Sequence, residues 1–357
     1  MTIIPNELKD KFTKEGRLSL YDYMNFCLYN SKLGYYQIQN SVGKDFTTAP
    51  EISQLFGECV GIFFLNSINN FFRENKISFF ELGPGKGSLS KDLIRVFKNT
   101  KHLKKKFFLI EISDKLILRQ KEKLKNEISK NNITWRKQIE SLNANSPVFF
   151  YCNEFFDAFP IEQFKKVNNL WYKKFVFLNE QGQIDSYFKK TYEKIPQYYS
   201  NVKNNSIVEI SKSYKKYLKK IFHHIEKYGG IFIFFDYGPF NKSYIDTLQG
   251  IFNNIKCNIF DFPCKTDITH HIDFNFIIDY SKEFKIKHFG PITQREFLLR
   301  NGILERTKIL INSSNSQKKI DELKKGLHRL IDPEQMGEIF KCLIFSNKNI
   351  KKILNHE

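Results

Sequence analysis

The stretch Phe79-Phe80-Glu81-Leu82-Gly83-Pro84-Gly85-Lys86-Gly87-Ser88-Leu89-Ser90 restricts the possible folds more than any other part of the chain. An apolar run ends near an acid, three glycines follow at alternate positions, and a helical pattern continues through Leu89, Leu93, Ile94 and Phe97. Strand, tight turn and helix in that order open an α/β sheet. Glycine is needed where φ is positive or where a ligand must meet bare backbone. Three of them here place bare backbone at the carboxyl edge of the sheet, where such folds bind ligands.

The spacing separates two ligand classes. A dinucleotide fingerprint, G-x-G-x-x-G, sets helix N–H groups on a pyrophosphate. Its third glycine would fall at position 88, which is Ser88. That counts against an NAD-dependent oxidoreductase. The pattern present, Glu81-x-Gly83-x-Gly85-x-Gly87, resembles the first motif of class I methyltransferases that use S-adenosylmethionine. A sulfonium ligand with an amino-acid tail suits an acid at the strand end, and a pyrophosphate does not. The bland alternative is a glycine turn that binds nothing.

A chain of 357 residues holds one large domain with insertions or two smaller ones. Its longest apolar runs, such as Ile231 to Phe235, fall far short of the ~18 residues of a membrane helix. Glu7, Asp10 and Glu15 argue against a secretory signal or an acid-poor transit peptide. Cys27, Cys59, Cys152, Cys257, Cys264 and Cys342 form no C-x-x-C pair, so reduced thiols are expected rather than a zinc site. The net charge of +19 invites a nucleic-acid reading. The excess is lysine spread with Asn, Ile and Phe over the whole chain, which reads as a composition bias. A basic surface of this kind still favours acidic partners or anionic membrane surfaces.

Along the chain, Leu18 to Tyr29 reads as a helix, and Thr48, Pro50 and Glu51 open another that runs to Phe72. The preceding Gly43-Lys44-Asp45-Phe46-Thr47 is not explained by helix capping. Phe107 to Ile112 reads as a buried parallel strand carrying Glu111, an acid placed to grip ribose hydroxyls. Pro147 to Cys152 is a further strand, ending in Asn153-Glu154-Phe155-Phe156-Asp157-Ala158. Two acids, an amide and two aromatics at a strand end point to a substrate pocket. Residues 163–190 read as an antiparallel insertion, Val208 to Tyr228 as a helix ended by Gly229-Gly230, and Ile231 to Phe235 as a strand delivering Asp236. Two histidines and two acids in Asp267 to Asp273 lack the wider spacing of a metal site, and no metal is expected. The tail reads as helices near 293–301 and 320–330 and a last strand from Phe340 to Phe345.

From end to end the chain resembles the MidA-type methyltransferases, whose mitochondrial member is an assembly factor for respiratory complex I. The matching stretches are Gly34-Tyr35-Tyr36, Asp45 to Ser53, Phe56-Gly57-Glu58, Glu81 to Gly87, Asn153 to Ala158, Asp236-Tyr237-Gly238, Thr247-Leu248-Gln249 and Asp267 to Phe274. Thr293-Gln294, Phe297-Leu298, Met336-Gly337 and Phe340-Lys341 extend the match into the tail. Lys86 stands where an arginine is common, and Asn253-Asn254 replaces a region that often holds a histidine.

The resemblance implies a class I methyltransferase fold, a Rossmann-like and mostly parallel sheet, with an N-terminal helical extension over residues 1–75. It implies a β-rich insertion near 163–205 and substrate-side elements near 240–330 within a methyltransferase domain of 76–357. It implies methyl transfer from S-adenosylmethionine, leaving S-adenosylhomocysteine, to a protein arginine, with a complex I subunit as the target of the mitochondrial member. The cofactor residues expected are Gly83, Gly85 and Gly87 at the methionine part, Glu81 near its amino end and Glu111 with Ile112 at the ribose. Asn153 and a cover of Thr47, Thr48, Pro50 and Ser53 complete that set. Glu154 and Asp157 are the expected acid pair for the guanidinium, with Asn153 beside the reacting nitrogen, and His271 and Asp236 as proton-relay or orienting residues. The rival readings are a non-catalytic, cofactor-binding assembly partner and an N-methyltransferase acting on nucleic acid. The expected home is a bacterial cytoplasm, or the mitochondrial matrix in a eukaryote.

Overall fold

The computed structural model describes residues 3–38, 47–72, 75–128, 132–139 and 145–351. They fall into two compact units, one built from segments 47–155, 217–240 and 277–357 and the other from segments 1–46, 156–216 and 241–276.

The larger unit is built on a seven-stranded sheet: β1 (Lys76–Leu82), β2 (Lys104–Ile110), β3 (Asn132–Arg136), β4 (Val148–Asn153), β5 (Gly230–Tyr237), β6 (Lys287–Thr293) and β7 (Phe340–Ser346). The order is β3-β2-β1-β4-β5-β7-β6. The first five run parallel, and β7 runs antiparallel to both β5 and β6. The chain winds outward from β1 to β3, then returns to the other side of β1 through β4. That reversal opens a crevice beside the carboxyl end of β1. Phe79, Phe80, Phe149, Phe150, Phe234 and Phe235 are all buried, so adjacent positions on a strand are apolar, as a sheet covered on both faces requires. Phe79 stacks on Phe107 at 5.0 Å, and Phe64 of helix Gln54–Phe71 meets Phe149 edge-on at 5.1 Å.

The single helix expected from residue 49 to Phe72 is two helices, Ala49–Ile52 and Gln54–Phe71. Ser53 is extended between them, and its hydroxyl accepts from Leu55 N at 3.3 Å to start the second. The capping-box spacing of Thr48 and Glu51 goes unused. Thr48 makes no side-chain cap bond, and the Glu51 carboxylate instead meets Lys123 at 3.3 Å, Lys86 at 3.8 Å and the Ser88 hydroxyl.

In the smaller unit, strands Glu162–Val167, Leu170–Leu178 and Ile184–Lys190 form the expected antiparallel insertion. Asn168 and Asn169, both at positive φ, close its first two-residue turn. Val208 is not the first residue of the long helix. Ile207–Ile210 is a strand paired with Glu162 to Lys165, and the helix begins at Lys212 and runs to Tyr228. Val208 there packs with Phe164, Tyr199 and Phe276, burial that a frayed helix end would not provide. Leu18 likewise leaves the expected helix, since Leu18–Ser19 pairs with Phe175 and Val176 and the helix is Leu20–Tyr29. A second, three-stranded sheet holds Gln249–Phe252, Ile255–Cys257 and Asp267–Thr269. Asn253 and Asn254 are its positive-φ hairpin turn.

No described helix is long and apolar enough to cross a membrane. Among the described residues no group of His, Cys, Asp and Glu is arranged to hold a metal ion. The six cysteines form no disulfide.

Candidate active site

In the larger unit, β1 delivers the glycine turn. Gly83, Gly85 and Gly87 have φ of +60°, +52° and +80°. The turn is tied down at both ends: Gly83 N donates to Ile110 O at 3.1 Å, and Gly87 N to Pro84 O at 2.7 Å. A Cβ on Gly83 would sit 2.6 Å from Cδ2 of Phe155. The phenyl ring from the end of β4 therefore occupies the space a side chain would need.

Each acid nearby has a distinct setting. Glu81 is buried, accepts from the Ser90 hydroxyl, and Ser90 is in turn 2.8 Å from the Tyr151 hydroxyl. Burial pushes its carboxyl up to about 8. Glu111 is buried just past β2 and accepts from Ser113 N at 2.9 Å and from Gln120 Nε2 at 3.2 Å. Burial raises its pKa as well. Each of its oxygens still has lone-pair capacity for a hydroxyl donor. Ile112, next in the chain, is 39% exposed, and its carbonyl accepts from Lys137 at 2.8 Å. Gln120 was missed by the sequence reading. It is wholly buried, donates to Gly85 O at 2.8 Å as well as to Glu111, and accepts from Trp135 Nε1 at 2.8 Å. A glutamine inside a lysine-rich amphipathic helix carries no local signal for that role.

At the end of β4, Asn153 Nδ2 donates to Glu154 Oε1 at 2.9 Å. Its buried Oδ1 has no hydrogen-bond partner among the described residues. Glu154 sits at φ +50° and its N–H donates to Phe235 O at 2.9 Å. A non-glycine residue held in the left-handed region is strained, and such strain gathers at functional sites. Asp236 is fully buried at the neighbouring end of β5 and accepts from Tyr237 N at 2.9 Å. Thr47, Thr48, Pro50 and Ser53 are half-buried around the short helix Ala49–Ile52. Residues 43–46, which precede them in the motif, lie outside the described residues.

Asp157 and His271 belong to the smaller unit. Asp157 is 3% exposed, and its carbonyl accepts from His270 N at 3.2 Å. His271 is anchored through its backbone. Its N donates to the Thr247 hydroxyl at 2.9 Å and its carbonyl accepts from Lys242 at 2.9 Å. Lys242 also pairs with the buried Glu209 at 2.9 Å, and Glu209 accepts from Thr247 N at 2.9 Å. The Thr247 and Asp267–Asp273 motifs thus meet in one buried polar network. In the same unit the Tyr36 hydroxyl of the Gly34-Tyr35-Tyr36 motif donates to Asp267 at 2.8 Å.

The larger unit suits S-adenosylmethionine on its own evidence: bare, positive-φ backbone after β1, a buried acid on each of the first two strand ends, and an unsatisfied amide oxygen on β4. The chain matches, over residues 59–292, the family described as "Putative S-adenosyl-L-methionine-dependent methyltransferase". It is similar to the mitochondrial protein arginine methyltransferase NDUFAF7 of Xenopus laevis, 30% identical with 94% of this chain and 82% of that protein aligned. The human protein of the same name is 28% identical over 95% of this chain and 82% of its own length. Among solved structures, a Burkholderia thailandensis protein crystallised with S-adenosyl-homocysteine superposes with a TM-score of 0.81 at 20% identity, covering 97% of this chain and 95% of that one. The shared architecture is the class I methyltransferase fold. The chain belongs to this family of S-adenosyl-L-methionine-dependent methyltransferases.

Proposed function

We propose that this enzyme methylates an arginine side chain on a protein, and that the acceptor is a subunit of respiratory complex I or its bacterial counterpart, modified during assembly. The observation that carries the reading is the near full-length similarity to relatives named protein arginine methyltransferase. The acids at the end of β4 suit a guanidinium, which is planar, cationic and a donor only.

S-adenosylmethionine supplies a methyl group already activated on a sulfonium sulfur. The protein's own task is alignment and charge. Gly83, Gly85 and Gly87 bring backbone against the methionine part, Glu81 faces its amino group, and Glu111 and Ile112 flank the ribose. Thr47, Thr48, Pro50 and Ser53 cover it. Glu154 and Asp157, three residues apart, hold the guanidinium through charge-assisted hydrogen bonds. Asn153 lies beside the reacting nitrogen. Asp236 and His271 orient the acid pair and the departing proton. Phe155, packed on Gly83, forms the wall. The setting is a bacterial cytoplasm or, in a eukaryote, the mitochondrial matrix, in keeping with the word mitochondrial in the relatives' names.

The test is transfer of labelled methyl from S-adenosylmethionine into proteins of a lysate lacking the enzyme, with the modified residue identified by mass spectrometry. Methylarginine that appears with wild type and falls at least tenfold with Glu154→Gln, at unchanged S-adenosylhomocysteine affinity, supports the reading. Label on another residue type overturns the arginine assignment. Tight cofactor binding with no transfer to any protein favours the assembly-partner alternative.

A further inference from the structure

The notable histidine of the Asp267–Phe274 stretch is His270, which the motif reading passed over in favour of His271. Its ring is wholly buried and lies nearly parallel to Tyr214 at 6.3 Å. The same Tyr214 ring makes edge contacts with Phe156 at 5.6 Å and Phe159 at 6.0 Å. With His270 N bound to Asp157 O at 3.2 Å, the imidazole is fixed against the segment that carries Asp157.

The tautomer follows from its partner. Nδ1 is 3.2 Å from His271 O. A carbonyl only accepts, so Nδ1 carries the proton and Nε2 presents a bare lone pair. Nε2 is buried and has no hydrogen-bond partner among the described residues. Buried acceptors in native proteins are almost always satisfied, and one left open calls for a donor from elsewhere. The ionisable groups around the ring are Glu209 and Lys242, paired with each other at 2.9 Å, and the neighbouring His271. Burial, assisted by the Lys242 charge, pushes the His270 pKa down to about 4, so the ring is neutral at physiological pH. A neutral acceptor does not repel a cation, whereas an imidazolium would.

We propose that His270 Nε2 accepts an N–H of the methyl-accepting group beside Asp157, making His270 a substrate-recognition residue. The identification of that donor as a guanidinium rests on the arginine reading above, but the presence of an acceptor site does not. A guanidinium offers five N–H donors. Asp157 takes some of them and a neutral imidazole takes another without adding charge.

Two conservative variants give opposite results under the two roles His270 can have. His270→Gln keeps an acceptor near the Nε2 position. His270→Asn keeps only a donor near the Nδ1 position, enough to preserve the link to His271 O. Both are measured for total labelled methyl transferred to the lysate as its dilution is varied, with thermal melting and S-adenosylhomocysteine titration alongside. The expected order is wild type, then Gln within about fivefold, then Asn at least thirtyfold down, the loss lying in the apparent KM and cofactor affinity changing less than twofold. Equal rates for wild type and Asn overturn the proposal, as does Asn outperforming Gln. If both variants melt early, the wild type decides. In protein with 15N-labelled histidine, loaded with S-adenosylhomocysteine, N-acetyl-arginine methylamide at millimolar concentration is expected to shift the His270 Nε2 resonance. Blocked norleucine is expected to leave it in place. No shift, or the same shift with norleucine, rejects the proposal. Because the rate order is read on total label, it stands apart from the residue identification that tests the arginine reading.

Discussion

The side-chain amide of Gln120 donates to the Gly85 carbonyl at 2.8 Å while its oxygen accepts from Trp135 at 2.8 Å. The same nitrogen reaches Glu111 at 3.2 Å. One buried residue thus links the glycine turn, the acid after β2 and β3. Replacing it with Leu leaves Glu111 and Trp135 each short of a partner, at a cost of about 1–3 kcal/mol. Gln120→Leu is therefore expected to lower S-adenosylhomocysteine affinity roughly tenfold, about 1.4 kcal/mol. Calorimetric titration checks this, and unchanged affinity would show that Gln120 only fills space.

Gly83 meets two constraints that a double mutant separates. Its φ of +60° disfavours any side chain, and an added Cβ meets Phe155 at 2.6 Å. Gly83→Ala should destabilise by about 2–3 kcal/mol, of which roughly 1–2 is backbone strain. Phe155→Ala in that background should recover the clash component and leave the strain. Urea unfolding of the four proteins of the cycle measures the coupling, and strictly additive effects would remove Phe155 as the cause of the bare turn.

Burial raises the Glu81 carboxyl from 4.5 to about 8 and the Asp92 carboxyl from 3.8 to about 7. Over the interval between these values the folded state binds more protons than the unfolded chain. Stability contributed by these two acids is therefore present at low pH and falls as pH rises from about 4 to about 8. Glu81→Gln should flatten its share of that slope, and Asp92→Asn the rest. Denaturant unfolding at pH 5.5, 7 and 8.5, roughly spanning the two shifted values, follows the trend. A slope unaffected by either variant would contradict it.

Glu58 anchors the tail to the helix Gln54–Phe71. The carboxylate is 1% exposed and accepts from Arg306 Nε at 2.7 Å and from Arg95 Nη1 at 3.0 Å. Removing the acid strands the Arg306 guanidinium and leaves Arg95 only its pair with Asp92 at 2.9 Å. Fully buried pairs cost about 3–5 kcal/mol when broken; with both arginines about one-third exposed, Glu58→Ala should cost about 2–3. A melting point within a degree of wild type would show the arginines resolvated freely.

Periodicity and turn chemistry made much of the fold legible. The strand–glycine–helix unit, the acids at the ends of β1 and β2, the hairpins of the insertion and the final strand all follow from rules that act over ten residues or fewer. The errors share a cause. Val208 sits in a helix-like pattern yet completes a sheet edge beside Glu162–Lys165. Ser53 interrupts a periodic run because its hydroxyl starts a new helix. In each case two local structures were acceptable; a strand far along the chain selected one for Val208, and a side-chain cap two residues away selected one for Ser53.

By itself, the sequence determined where backbone must be bare and which strand ends carry acids, because steric freedom at glycine and side-chain alternation are local properties. Only tertiary structure decided that Phe155 fills the space beside Gly83, that Gln120 fastens the turn, and that His270 presents a buried, open ring nitrogen. Those outcomes depend on which distant groups satisfy one another once water is excluded, and no spacing along the chain encodes that choice.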